Sequence, residues 1–334
     1  MEQKKRIEYL DAMRGFTMIL VVYSHVHLQS FLGGDSFNDL FVMIRMPLFF
    51  FVSGFLLEKP NVIWKVNSVM TFLKKKFKIQ IIPTFVFMFV YCYLFDDINI
   101  SSCLIDASKS GYWFTLTLFE YFLLYSVCKM LPSKWQLLLL FVFSFLLCAI
   151  KGLNLHLPIL SALQLVHGWY FVFFSFGVFV KRNFLSFRLF LLSRWYSLVL
   201  GLFICGAICR IKGSIFNELP FQIIQVVILG VLGICVVFCF FSKYENRFNS
   251  NRRLGRYLQY VGKRTLDVYL LHFFFVPQNL GVVGAFFREY FNPILELCCS
   301  LLISIVIVGL CLVVSNLIRT SRILGHYLFG VKNN

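Results

Sequence analysis

Long apolar runs separated by short basic segments dominate this chain, and few folds accept them. A run such as VVILGVLGICVVFCFF carries no polar stripe at a 3.6-residue period, so no face of such a helix can be given to water. Only 14% of residues are charged, against 59% hydrophobic and 19% aromatic. A soluble domain carries about 25% charged residues. The runs belong in lipid or against other apolar helices, which makes the chain an all-α integral membrane protein.

A spanning helix needs about 20 mostly apolar residues. Ten stretches qualify: Met13–Phe31, Leu40–Leu57, Ile79–Phe95, Gly111–Cys128, Trp135–Ile150, Leu165–Val180, Trp195–Cys209, Phe221–Phe241, Thr265–Val276 and Leu295–Leu317. The ninth is short and reads as tilted or broken. Met1–Arg6 is basic, but no small-residue cleavage site follows the first run, which therefore reads as a retained helix. With ten spans, 25 of the 32 Lys and Arg fall in the termini and the loops on their side of the membrane, and 5 in the opposite loops. The positive-inside rule then places both termini in the cytoplasm. Acidic residues lean the other way: Asp35, Asp39, Asp96, Asp97, Asp106, Glu218 and Glu289 fall in the outer loops. No repeat is visible, and the tail after Arg319 leaves no room for a soluble catalytic domain, so residues 1–334 read as one membrane-embedded domain. The linkers Glu58–Lys78 and Ser242–Arg264 have the length for short surface helices.

The net charge of +17 does not indicate a nucleic-acid binder, because the basic residues sit between apolar runs and form no single stripe. The eleven cysteines include no CxxC pair and no zinc-like spacing with histidine, so no metal is expected. They read as small buried hydrophobes.

Ionisable groups inside a span are costly and are functional candidates by default. In LDAMRGFTMILVVYSHVH, Arg14 and His25 are eleven residues apart. That spacing returns to one helix face within ~20° and separates them by roughly 16 Å along the axis. A cation at the cytoplasmic mouth and a titratable imidazole deep in the membrane suit a site fed from the cytoplasm: Arg grips phosphate at two points, and His serves as base or nucleophile. The bland reading of Arg14 is snorkelling with Asp11 as partner. His27 points away from His25 and reads as structural. Arg45, in RMPLFFFVSGF, either faces a cavity as a substrate contact or anchors at the interface, while Ser53 and Gly54 allow close helix approach. Glu120 lies mid-span in WFTLTLFEYF, where a lone carboxylate needs a partner or a proton; Trp113 heads that segment and is a candidate substrate contact. In VGKRTLDVYLLH, Asp267 caps or pairs with Lys263 or Arg264, and His272 is either functional or a structural histidine. Lys74, Lys75, Lys76 and Lys78 precede the third span, and Arg252, Arg253 and Arg256 the ninth. Such clusters either meet anionic lipid or form a funnel for a polyanion such as a nucleotide-bearing cofactor.

Taken in order, RIEYLDAMRGFTMILVVYSH, RMPLFFFVSGFL, a lysine-rich stretch running into IIPTF, WFTLTLF, WYFVFFSFGVFV and VGKRTLDVYLLH resemble the acyltransferase 3 family of membrane O-acyltransferases. The resemblance implies transfer of an acyl group, usually acetyl, from acyl-CoA to a hydroxyl of a carbohydrate or glycolipid at the bacterial envelope. It implies essential roles for Arg14 and His25. It brings Lys75, Lys76 and Lys78 forward as contacts to the acyl-CoA phosphates, because the Arg that the family often carries before the third span is Ile79 here. Many relatives have His where Arg45 stands, and some carry an appended soluble domain that this chain lacks. Read on its ionisable residues alone, the chain also suits a transporter or flippase for a lipid-linked sugar, although the matched broken helices of inverted repeats are not visible.

The charge asymmetry makes a direct prediction. Reporter fusions after Arg194 and at Asn334 report a cytoplasmic location and one at Asp97 an external one; a cytoplasmic Asp97 overturns the ten-span topology.

Overall fold

The computed structural model describes residues 7–32, 36–95, 104–153, 158–211, 219–278, 280–290 and 292–330. Asp35, Asp96, Asp97, Glu218 and Asn334 lie outside them. Among the described residues all regular structure is helical. The first part of the chain forms α1 (Glu8–His25), a π-helical turn (Val26–Ser30), α2 (Ser36–Leu57), α3 (Val66–Lys76), a second π turn (Phe77–Ile81) and α4 (Ile82–Phe95). Next come α5 (Trp113–Lys129), α6 (Ser133–Gly152), α7 (Phe171–Arg182), α8 (Phe184–Leu192) and α9 (Trp195–Ile211). The last part comprises α10 (Leu219–Lys243), α11 (Arg253–Lys263), α12 (Thr265–Leu271), α13 (Gly281–Tyr290), α14 (Pro293–Thr320) and α15 (Arg322–Phe329).

Helix occupies each of the ten expected stretches. Five helices are long and apolar enough to cross a membrane unaided, or six if α8 and α9, bent by 79° at their junction, count as one span. They are Phe37–Leu57, the continuous Val66–Phe95, Ser133–Gly152, Leu219–Lys243 and Pro293–Thr320. The other stretches fall short for visible reasons. Glu8, Asp11, Arg14 and His25 make α1 polar, and α5 has only 17 residues. The sixth stretch opens as a 3-10 turn, Leu165–Tyr170, and the ninth breaks from α12 into another at His272–Phe274. Of the linkers expected to carry short surface helices, Ser242–Arg264 holds α11, whereas α3 in Glu58–Lys78 runs on without a break through the π turn into α4.

Apolar side chains also cover the outside of the molecule. Only 22% of the apolar window of α6 is buried within the protein, and Leu138, Phe145 and Leu146 point outward from it. Water would tolerate no such face over several helices, so lipid is the solvent that matches it. The chain is a membrane protein.

The described chain divides into two compact units. Unit 1 comprises Met1–Val52, Asn183–Ile215 and Ile228–Leu312; unit 2 comprises Ser53–Arg182, Phe216–Val227 and Val313–Asn334. In unit 1, α1 and α11 meet backbone to backbone. A Cβ on Gly15 would stand 2.0 Å from the carbonyl oxygen of Leu258, and one on Gly262 would stand 1.8 Å from that of Asp11. The start of α1 is fastened to the same region by Glu8, whose carboxylate accepts from the Ser250 backbone N–H (2.7 Å), the Ser250 hydroxyl (3.1 Å) and the Gln259 amide (3.3 Å). The Ser250 backbone N–H does most to hold this carboxyl below its ordinary pKa.

In unit 2 the last turn of α2 lies against α7, where a Cβ on Gly54 would stand 2.1 Å from the carbonyl oxygen of Phe174. The close approach expected of Gly54 is therefore real. Tyr121 and Tyr125 of α5 pack edge-on against Phe171 and Phe174 of α7. The Ser144 hydroxyl of α6 donates to the Ser175 hydroxyl of α7 at 3.0 Å.

The crossing of α1 and α11 is testable. Gly262→Val forces a side chain into the Asp11 carbonyl, and overpacking of this kind costs about 1–3 kcal/mol or more. The detergent-purified variant unfolds at a lower temperature than the parent; an unchanged midpoint contradicts the contact.

Candidate active site

The arginine and the two histidines singled out in the sequence all lie in unit 1, in two contacts between α1 and the segment around α12. Arg14 projects from α1 one residue before the glycine crossing, half-buried. Its guanidinium donates to the Thr265 hydroxyl at 2.7 Å and lies 3.9 Å from the Asp11 carboxylate. Thr265 heads α12, and α12 carries His272 just beyond its end. The His25 and His272 rings lie side by side with centroids 5.0 Å apart and planes inclined by 50°, and Phe273 closes the edge of His25 at 4.8 Å. Arg45 lies near enough for its charge to act on the His25 ring.

Local structure positions each group. His25 is the last residue of α1 before the π turn. A π turn widens the helix by one residue, and such turns gather at functional sites because they re-aim the side chains beside them. Gln29, four residues on, directs its amide nitrogen at His25 Nδ1 from 3.5 Å, the limit of a hydrogen bond. Pro47 lies inside α2 two residues after Arg45. It has no N–H to give the carbonyl four residues earlier, and this loosens the helix beside Arg45.

The hydrogen bonds also fix which nitrogen of His272 holds its proton. His272 is fully buried, and its Nδ1–H donates to the carbonyls of Tyr269 (2.7 Å) and Val268 (3.2 Å). Nε2 is then the basic nitrogen, and among the described residues it is buried with no hydrogen-bond partner. A buried, unsatisfied acceptor is costly, and a proton-bearing group placed against it would be stabilised. Asp267 pairs with Arg264 at 3.6 Å, one of its two expected roles. His27 lies on a different face from His25 and bonds Glu296 at 3.0 Å, a partner the sequence did not suggest.

The remaining candidates belong to unit 2. Glu120 is half-buried on α5. Trp113 stacks on His167 with centroids 4.1 Å apart and an interplanar angle of 23°, and on Tyr170 at 5.8 Å. The lysines go three ways. Lys75 is exposed on α3, Lys76 lies over the Phe122 ring at 4.5 Å, and Lys78 Nζ donates to His326 Nε2 at 2.9 Å.

Sequence reading passed over a buried ionic cluster in this unit. The Glu58 carboxylate accepts from Arg182 Nε at 2.9 Å, Lys129 Nζ at 3.4 Å and the Tyr125 hydroxyl at 2.7 Å. Gln136 Oε1 accepts from Lys129 at 3.1 Å and from Arg182 Nη2 at 2.5 Å. Glu58, Lys129 and Arg182 each stand at a helix end, where a lone charge carries no signal of its partner. Among the described residues no group of three or more His, Cys, Asp or Glu is placed to hold a metal ion.

The acyltransferase 3 family model, an acyltransferase domain, matches residues 7–313. The chain belongs to the acyltransferase 3 family. No curated protein and no solved structure matches it. The match runs from the residue before α1 through most of α14 and so contains every residue of the Arg14–Thr265 and His25–His272 contacts. An acyltransferase needs an acyl donor and an acceptor, and a membrane acyltransferase must hold both beside its helices.

The ionic cluster predicts a strong stability effect within this acyltransferase. Glu58→Ala leaves two buried cations facing one another, and breaking such a cluster costs about 3–5 kcal/mol. The variant is recovered at low yield, or elutes aggregated on gel filtration. A fully folded, equally heat-stable Glu58→Ala protein contradicts the cluster.

Proposed function

We propose that the protein moves an acetyl group from cytoplasmic acetyl-CoA to a hydroxyl of a cell-envelope carbohydrate or glycolipid, through ten spans with both termini in the cytoplasm of a bacterial cell. Membership of the acyltransferase family supports the reaction class. The distribution of Lys and Arg supports the topology. The observation that carries the mechanistic reading is the close pair of His25 and His272 rings, with one imidazole nitrogen bare and buried.

In this reading the acceptor hydroxyl gives its proton to the histidine pair as its oxygen attacks the thioester carbonyl. A C–O bond forms, the C–S bond breaks, and the coenzyme A thiolate leaves and takes up a proton. His25 meets the acceptor, and His272 Nε2 holds the transferred proton in the interval. Arg14, fixed by Thr265 and Asp11, faces the negative end of the donor. Arg45 contributes positive charge close to His25, where the oxyanion of the tetrahedral intermediate develops. The lysines of the α3 segment raise the local concentration of a polyanionic donor at the cytoplasmic face. Glu120 and Trp113 are kept as a proton-exchanging group and an acceptor contact of unit 2.

Acetyl-CoA binding and acetyl transfer, measured on detergent-purified protein with folding checked by gel filtration, separate these roles. His25→Gln keeps size and hydrogen bonding but cannot titrate. Its transfer rate falls by about 10²–10⁴-fold with donor affinity intact. Arg14→Lys keeps the charge but loses the planar fork, so its loss appears first in donor affinity. A well-folded His25→Gln protein with near-normal transfer would sink the catalytic assignment.

A further inference from the structure

A groove of about 590 Å³ opens on the surface of unit 2. Lys59, Val62, Ile63 and Trp64, from the segment after α2, line it. Asn67, Thr71, Phe72 and Lys75 of α3 line it as well, and 67, 71 and 75 repeat at the spacing of one face of α3. We propose that this groove receives the nucleotide end of the acyl donor. This rests on the reading above that the donor is an acyl-CoA.

The chemistry of the walls selects that ligand. Lys59 and Lys75 are exposed cations at the groove. Trp64 and Phe72 stand edge to face, centroids 5.0 Å apart, and bring aromatic surface to a planar heterocycle. The Asn67 amide donates and accepts, and the Thr71 hydroxyl, which gives its proton to the Asn67 carbonyl at 2.8 Å, keeps its lone pairs for an incoming donor. Cations alone would suit any phosphate, including a lipid headgroup. Cations with aromatic rings, an amide and a hydroxyl suit a base that carries phosphates.

The wall is also held in place from behind. Lys129 Nζ donates to the Lys59 carbonyl at 2.9 Å, and the Trp64 backbone N–H donates to the Lys129 carbonyl at 2.9 Å. Lys129 is in turn fixed by Glu58 and Gln136. The buried cluster therefore positions the segment that bears Lys59 and Trp64, and a wall already ordered loses less entropy on binding. Its two cations against one carboxylate also leave net positive charge behind the wall, favouring an anion in front of it.

The test uses the full-length protein in nanodiscs of uncharged lipid, with free coenzyme A as the probe in calorimetry. Lys59→Gln/Lys75→Gln weakens binding roughly tenfold and flattens its dependence on salt. Asn67→Asp, an exposed change that adds a repelling carboxylate, also weakens it, and the exposed control Lys134→Gln does not. Adenosine 3′,5′-bisphosphate competes with coenzyme A on the parent protein. If the parent binds coenzyme A and transfers acetyl while both groove variants keep full affinity, the groove assignment is overturned and the acyl-CoA reading stands. If the variants lose only their attraction to anionic vesicles, the lysines are lipid contacts and the groove assignment again fails. If the parent itself binds no coenzyme A, the acyl-CoA reading falls, and the groove assignment with it.

Discussion

Gly15 and Gly262 carry no side chains, and this allows α1 and α11 to touch through their backbones. The rest of unit 1 depends on that contact. Because α11 is held against α1, the chain leaves it at Lys263 and starts α12 beside Arg14. Thr265 then bonds the guanidinium, and the same short helix delivers His272 beside His25. A methyl group at either glycine would separate the two helices and move both partners at once. The glycines therefore set the geometry of the candidate site without touching any reacting group.

Charges buried in a membrane protein must be paired or hydrogen-bonded, because each ion withdrawn from water loses several kcal/mol of solvation. Unit 1 satisfies this locally: Arg14 has Thr265 and Asp11, Asp267 has Arg264, and His27 has Glu296. Unit 2 uses a network, in which Glu58 is shared by Lys129, Arg182 and Tyr125. The nitrogen Nε2 of His272, like the Tyr257 and Ser300 hydroxyls of the same unit, is buried with no hydrogen-bond partner among the described residues, and it alone of these three lies against the His25 ring. A cost that the fold leaves uncompensated is easiest to understand where a substrate group completes the hydrogen bond. That is the physical reason for assigning the chemistry to this pair.

Much of this was legible in the sequence. Unbroken hydrophobicity located helix in all ten stretches, and the short ninth stretch, expected to be tilted or broken, breaks at His272. The eleven-residue spacing placed Arg14 and His25 on one helix. Sequence could not show the π turn after His25, because a one-residue widening leaves no compositional mark. Thr265 was missed because a threonine at a helix start looks like an ordinary cap. The ionic cluster was missed because Glu58, Lys129 and Arg182 lie far apart in the chain and look like charges of separate basic loops. The lysines before the third span read as one cluster but separate in three dimensions, since consecutive residues on a helix point in different directions.

The central claim is that His25 and His272 act as one proton-handling unit. A double-mutant cycle on acetyl transfer tests it most directly: His25→Gln, His272→Gln and the double variant, each shown to be folded and to bind acetyl-CoA. Groups that act together lose their contribution only once. The account predicts that the double variant is no slower than the slower single variant. Losses that multiply in the double variant would show two independent histidines and contradict it.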